Sequence, residues 1–141
     1  MNDLLNLNRF IEAQSRSYDA ALNEIKSGHK TGCWMWYIFP QYKGLGQSVI
    51  SQKYAIANLD EALQYFKHPV LGNRLLEITT TFLSWDNKSA YEILGDPDYL
   101  KMKSSMTLFD IVQRESDVFS KVSETFYSGI KCDLTISLIE L

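Results

Sequence analysis

Three segments of this chain carry side chains whose types and spacing suit chemistry beyond packing. The first, Trp34-Met35-Trp36-Tyr37-Ile38-Phe39-Pro40-Gln41, puts four aromatic rings into six positions just ahead of a glycine-containing turn. Indole and phenol rings present flat apolar faces with an N–H or O–H that fixes orientation. That suits a base, a nicotinamide or a sugar, with Trp34 and Trp36 as the stacking rings and Gln41 as their polar neighbour. Such rings also pin loops onto cores, which from composition alone is the commoner use. The second segment is Gly44-Leu45-Gly46-Gln47-Ser48. Glycine permits the positive dihedrals that turn successive N–H groups toward an anion, and a helix starting near Ser48 would add its positive end. Gly44, Gly46 and Ser48 are therefore candidates for holding phosphate, although the spacing matches neither a P-loop nor a dinucleotide fingerprint. The third, Lys101 to Thr107, gathers two amines and three hydroxyls in seven residues. A lysine that loses its proton in a partly dry pocket attacks a carbonyl or an opened sugar aldehyde, so Lys101 is the candidate nucleophile or anchor. Ser104 and Ser105 are candidates for orienting a sugar, and a solvated helix face ending in hydroxyls is the plain alternative.

Other chemistries find less support. His29 and His68 stand apart from any carboxylate or cysteine at ligand or triad spacing, so no metal or cofactor is implied, and His68 reads as a helix cap. Cys33 and Cys132 are the only cysteines, and a reducing compartment with free thiols is the simplest reading of two so far apart. Fourteen Lys and Arg against seventeen Asp and Glu give a net charge of -3 with no long run of either sign. Binding to DNA by phosphate neutralisation is disfavoured, because it needs a basic stripe or face. The opening residues lack the basic start and apolar core of a signal peptide, and the longest apolar run, Trp34 to Phe39, is far too short to span a bilayer. The expectation is a cytoplasmic protein with no membrane contact.

The elements that must position these segments read as helices. At 141 residues and 45% apolar content the chain has the length of one domain, able to bury a core without a disulfide or metal. No repeat or Pro/Gly/Ser-rich linker marks a boundary, so residues 1–141 are expected to form a single helical domain. Leu4, Leu7, Phe10 and Ile11, then Tyr18, Ala21, Leu22 and Ile25, recur at helical spacing and predict two opening helices that stop at Gly28. From Thr31 to Gly46 the period fails, predicting an ordered aromatic loop with room for one helical turn. Asn58 with Glu61 has the form of a capping pair, and His68-Pro69 and Asp96-Pro97 each place a proline at a first helical position with a candidate cap just before it. Val70, Leu71, Leu75, Ile78 and Phe82 line one stripe, while Leu100, Met106, Phe109 and Ile111 fit a period poorly. Ser116-Asp117 begins a penultimate helix ending near Gly129, and Asp133 is placed to cap a last one. The β-branched run Ile78 to Thr81 leaves a strand as the rival there, but length favours a helix. Seven to eight helices with short connections predict an all-α fold.

Taken together, Phe10, Ala13-Gln14, Tyr18, Ala21-Leu22, Gly28 and the Trp34 to Gln41 run with Gly44-Leu45-Gly46 and Ser48 closely resemble the bacterial domain-of-unknown-function family 1810. The resemblance continues through His68-Pro69, Leu71-Gly72, Arg74-Leu75, Gly95, Asp98, Lys101, Ser104-Ser105-Met106-Thr107-Leu108-Phe109, Gly129, Asp133 and Thr135. It implies an all-helical protein of unassigned biochemistry. Some members carry a calpastatin label, but nothing in this chain looks like a disordered, polar protease-inhibitor repeat. The family usually has Ser-His before its Trp-Met-Trp, whereas this chain has Gly32-Cys33, which puts an indispensable histidine there in doubt. A fainter resemblance, in the order of segments only, is to the helical NADAR (YbiA-like) family, which handles ADP-ribose-type N-glycosides. The expected function is accordingly binding or hydrolysis of a nucleotide or ADP-ribose-like small molecule. The alternative is a non-catalytic interaction or self-assembly module displaying Tyr37, Tyr42 and Tyr65.

Overall fold

The computed structural model describes residues 6–141, and every regular element among them is an α-helix. They are α1 (Asn8–Lys26), α2 (Met35–Ile38), α3 (Val49–Lys53), α4 (Leu59–Lys67), α5 (Leu71–Leu83), α6 (Ala90–Leu94), α7 (Asp98–Val112), α8 (Val118–Tyr127) and α9 (Asp133–Glu140). The all-α class expected from the sequence is the class that forms. The β-branched run Ile78 to Thr81 is helical, because Leu71, Leu75, Ile78 and Phe82 fall on one buried face of α5.

The two opening helices are one. Phe10, Gln14, Tyr18, Ala21, Leu22 and Ile25 share the buried face of α1, and no glycine or proline interrupts the chain between the two apolar groups. Leu4 lies outside the described residues. Asn58 caps α4 as its spacing predicts, its Oδ1 accepting from Glu61 N at 2.8 Å, and His68 Nδ1 accepts the N–H groups of Val70 and Leu71 at 3.1 and 3.3 Å. Asp96 does not cap its helix, since α7 opens at Asp98 without a side-chain cap. The periodicity does not announce α6, yet that helix carries the fullest capping signature. Ser89 Oγ accepts from Glu92 N at 3.0 Å while Glu92 Oε1 accepts from Ser89 N at 2.8 Å.

α7 is the central helix and packs against α4, α6, α8 and α9. Met102 and the unbroken run Ser104 to Phe109 are buried, so the helix is enclosed around most of its circumference. This explains the weak period in its sequence. α5 follows α4 so closely that a Cβ on Gly72 would lie 1.8 Å from the Phe66 carbonyl oxygen, which leaves glycine as the residue that fits. No helix among the described residues is long and apolar enough to cross a membrane.

Candidate functional site

The aromatic segment divides into a buried half and a half that reaches a cleft. Trp34 is 2% exposed and belongs to the core. Its Nε1 donates to Glu24 Oε1 at 3.0 Å, and the same oxygen accepts the N–H groups of Thr31 and Gly32 at 2.7 and 2.8 Å. Trp34 therefore does not stack on a ligand: one carboxylate at the end of α1 ties down its indole and the loop ahead of it. Burial alone would push the Glu24 carboxyl up, but the backbone N–H groups of Gly32 and Thr31, the Trp34 indole and the Thr31 side chain together hold it below its ordinary value of 4.5. A folded-state value below the unfolded one stabilises the protein above the unfolded value, and that contribution is lost as pH falls through the folded one. Thermal unfolding followed from pH 7 to pH 3 should therefore show a larger acid-induced drop in Tm for the wild type than for Glu24→Gln. Parallel curves would refute the assignment.

The glycine turn is not an open anion cradle. Ser48 Oγ accepts from Ser51 N at 3.1 Å as the cap of the five-residue α3, and a Cβ on Gly46 would meet Ser51 Cβ at 2.4 Å. The space that a phosphate would need above Gly46 is filled by Ser51. Gly44, with φ +98, lies against Leu138 and lines a separate depression near the end of α9.

Gln41, Gly46, Lys101 and Ser104 do converge. They line a cleft of about 560 Å³ between the aromatic loop, the first half of α7 and the start of α9. That volume lies within the range of small-molecule sites. Gln41 is held by its backbone, its carbonyl accepting from Ile56 N at 2.8 Å. Lys101 Nζ lies 5.0 Å from the centre of the Trp36 ring and 3.6 Å from Asp98 Oδ1, and Asp98 also pairs with Lys30 at 2.7 Å. The aromatic and lysine segments therefore meet, as a composite pocket requires. Trp36 stands behind Lys101 with one face covered by the ammonium, so its geometry is that of a positioning residue for the lysine. Lys101 is thus engaged with a carboxylate on one side and a π-face on the other. Ser105 turns away from the cleft: it is fully buried and its hydroxyl has no partner among the described residues, so it orients no ligand.

The structure adds residues that the sequence reading passed over or left in the background. Lys103, Lys131, Cys132 and Asp133 line the same cleft, as do Leu100, Ile130 and Leu134. These three side chains are 49%, 59% and 56% exposed, an apolar cluster beside a concentration of amines. Lys131 pairs with Asp110 at 3.0 Å, whereas Lys103, half-buried, has no ion pair among the described residues. Cys132 sits at the cap position of α9, displacing Asp133 to the first helical turn, and accepts a hydrogen bond from Ser104 Oγ at 3.3 Å. The signal that would have found it is local: a cysteine between a lysine and the acidic start of a helix. The rings named for self-assembly do not form a surface patch. Tyr65 is fully buried, Tyr37 is half-buried with its hydroxyl 2.8 Å from Ser17 Oγ, and half-buried Tyr42 pairs with Ile56. Both cysteines are free.

Residues 4–139 match the family described as a protein of unknown function, DUF1810, and the chain belongs to it. The fold is similar to the crystal structure of the conserved hypothetical protein Rv1873 from Mycobacterium tuberculosis, at 38% identity and a TM-score of 0.96, covering 99% of each chain. No curated protein matches the chain.

Proposed function

We propose that this member of the DUF1810 family binds a small anionic molecule of the nucleotide class in the cleft between the aromatic loop, α7 and α9. The observation that carries the reading is the half-buried Lys103. It has no ion pair among the described residues, and it lines a cleft with two further lysines and exposed leucine and isoleucine side chains. Asp98 and Asp110 offset Lys101 and Lys131, and Asp133 also lines the cleft, so Lys103 is the ammonium there without a counter-ion among the described residues; partly desolvated, it favours an anion more strongly than one in bulk water. Lys103 takes a phosphate, with Lys101 and Lys131 adding charge on either side. Leu100, Ile130 and Leu134 give a planar base an apolar surface, while Gln41 and Ser104 supply hydrogen-bonding groups at the floor. Trp36 and Asp98 fix the direction of Lys101.

Thermal unfolding in the presence of AMP, ADP-ribose and nicotinamide cofactors tests the reading. A ligand at a hundred times its Kd adds about 2.7 kcal/mol to the folded state, a rise of roughly 5–15 °C for a domain of this size. Lys103→Gln should remove most of that rise, and the rise should shrink with salt. Absence of a shift across the panel at millimolar ligand, or a shift that survives Lys103→Gln with Lys131→Gln, would overturn the proposal.

A further inference from the structure

We infer that Cys132 is the nucleophile of this cleft, its sulfur adding to the carbonyl carbon of an anionic aldehyde such as the opened form of a sugar phosphate. The inference rests on the cleft being a ligand site, and it transfers to Cys132 the role that Lys101 cannot fill while it is held by Asp98 and Trp36. Four features single out this sulfur. It is half-buried and lines the 560 Å³ cleft, in reach of a bound molecule. Its backbone is fixed, the Cys132 N–H donating to Thr107 Oγ1 at 3.0 Å on the central helix. The single Ser104 hydroxyl hydrogen is shared between this sulfur and the Leu100 carbonyl, both at 3.3 Å, and the N–H groups of Leu134 and Thr135 approach the sulfur from the first turn of α9. Finally, the Thr135 hydroxyl is fully buried with no partner at hydrogen-bond geometry, yet it faces the same sulfur.

Donors of this kind serve an ionised sulfur. Burial alone pushes the thiol up, but the hydroxyls of Ser104 and Thr135 with the two backbone N–H groups bring it below its ordinary value. The charged groups that face it are Lys101 and Lys103 on α7, Lys131 ahead of α9 with its partner Asp110, and Asp133 on α9 itself. Inert structural cysteines sit in apolar surroundings, whereas this one is ringed by donors and open to a cavity. In the addition the Sγ–C bond forms while the carbonyl π pair moves to oxygen. That oxygen takes a proton from water or a lining ammonium, giving a hemithioacetal. Nothing leaves, and no oxidant is consumed. The lysines hold the phosphate of the same molecule and stabilise the developing alkoxide.

Alkylation of the full chain by iodoacetamide at pH 6, read residue by residue in a mass spectrometer, uses the exposed Cys33 as the internal reference. Cys132 should react at least about threefold faster than Cys33, the gain in thiolate outweighing the accompanying fall in nucleophilicity. Ser104→Ala should slow Cys132 alone. Glyceraldehyde 3-phosphate at ten times its Kd should slow alkylation of Cys132 about tenfold. Glycerol 3-phosphate, which lacks the aldehyde, should protect far less at the same concentration. Equal reactivity of the two cysteines, or equal protection by the two phosphates, would overturn the nucleophile and leave the anion-binding reading standing. Rapid alkylation with no protection by either phosphate would overturn the nucleophile, while the anion-binding reading is decided separately by the nucleotide melts.

Discussion

Arg9→Ala should lower the unfolding free energy by roughly 3–5 kcal/mol, because it strands a buried carboxylate. The Glu61 side chain is 3% exposed, and the Arg9 guanidinium meets it in a forked arrangement, Nη1 to Oε2 at 3.1 Å and Nη2 to Oε1 at 3.3 Å. The same guanidinium donates to the Lys53 carbonyl from Nε at 2.7 Å and to the Ala55 carbonyl from Nη2 at 2.8 Å. It thus fastens the first turn of α1 to the connection between α3 and α4. With alanine at position 9 the carboxylate keeps the Ala57 N–H at 2.7 Å but loses its counter-charge in a site closed to water. Urea unfolding is the measurement, and a loss under about 1 kcal/mol would mean that the pair behaves as an exposed one. Arg9→Met with Glu61→Leu should recover much of the stability, since the cost lies in the unpaired charge and not in the absence of a salt bridge. The effect extends to the cleft, because Ile56 in that connection holds both Gln41 and Lys43 by backbone hydrogen bonds.

Trp34→Ala should be similarly damaging, costing roughly 3–5 kcal/mol as a fully buried ring is replaced by a cavity. It also removes the indole donor from Glu24 and the ring that packs at 6.2 Å from Phe39. Trp36→Ala, two residues away, should cost only about 1–2 kcal/mol, reflecting a half-buried ring and one cation–π contact. On the proposed function, its larger consequence should be weaker nucleotide binding, as Lys101 loses the surface that directs it. Calorimetric unfolding and ligand titration of the two variants separate the roles. If Trp34→Ala were as mild as Trp36→Ala, the division of the aromatic segment into a structural and a site-facing half would be wrong.

That division shows where reading the sequence stops. Helix caps are local: Asn58 with Glu61, and His68 ahead of Val70, can be recognised because the donor and acceptor lie two or three residues apart. The single-faced helices α1 and α5 are legible for a related reason, since one buried stripe imposes a period. α7 conceals its nature because neighbours enclose it nearly all round, so no polar face remains to set a period. The two apolar groups of α1 have the look of two helices, but no glycine or proline lies between them to interrupt one.

The site divides in the same way. Lys101 and Ser104 stand out as a polar concentration, and one turn of helix puts both on the cleft side of α7. Ser105, the next residue, lies about 100° further round and enters the core. The sequence of this protein determined its helical class, the Asn58 and His68 caps, its family, and the two segments that meet as Trp36 and Lys101. Only the tertiary structure decided that Trp34 packs inside while Trp36 backs a lysine, that Ser51 fills the glycine turn, and that Lys131 and Cys132 arrive opposite Lys103 from some thirty residues further along. Periodicity and capping act over one or two turns of chain, whereas burial and the meeting of charges depend on which helices pack together.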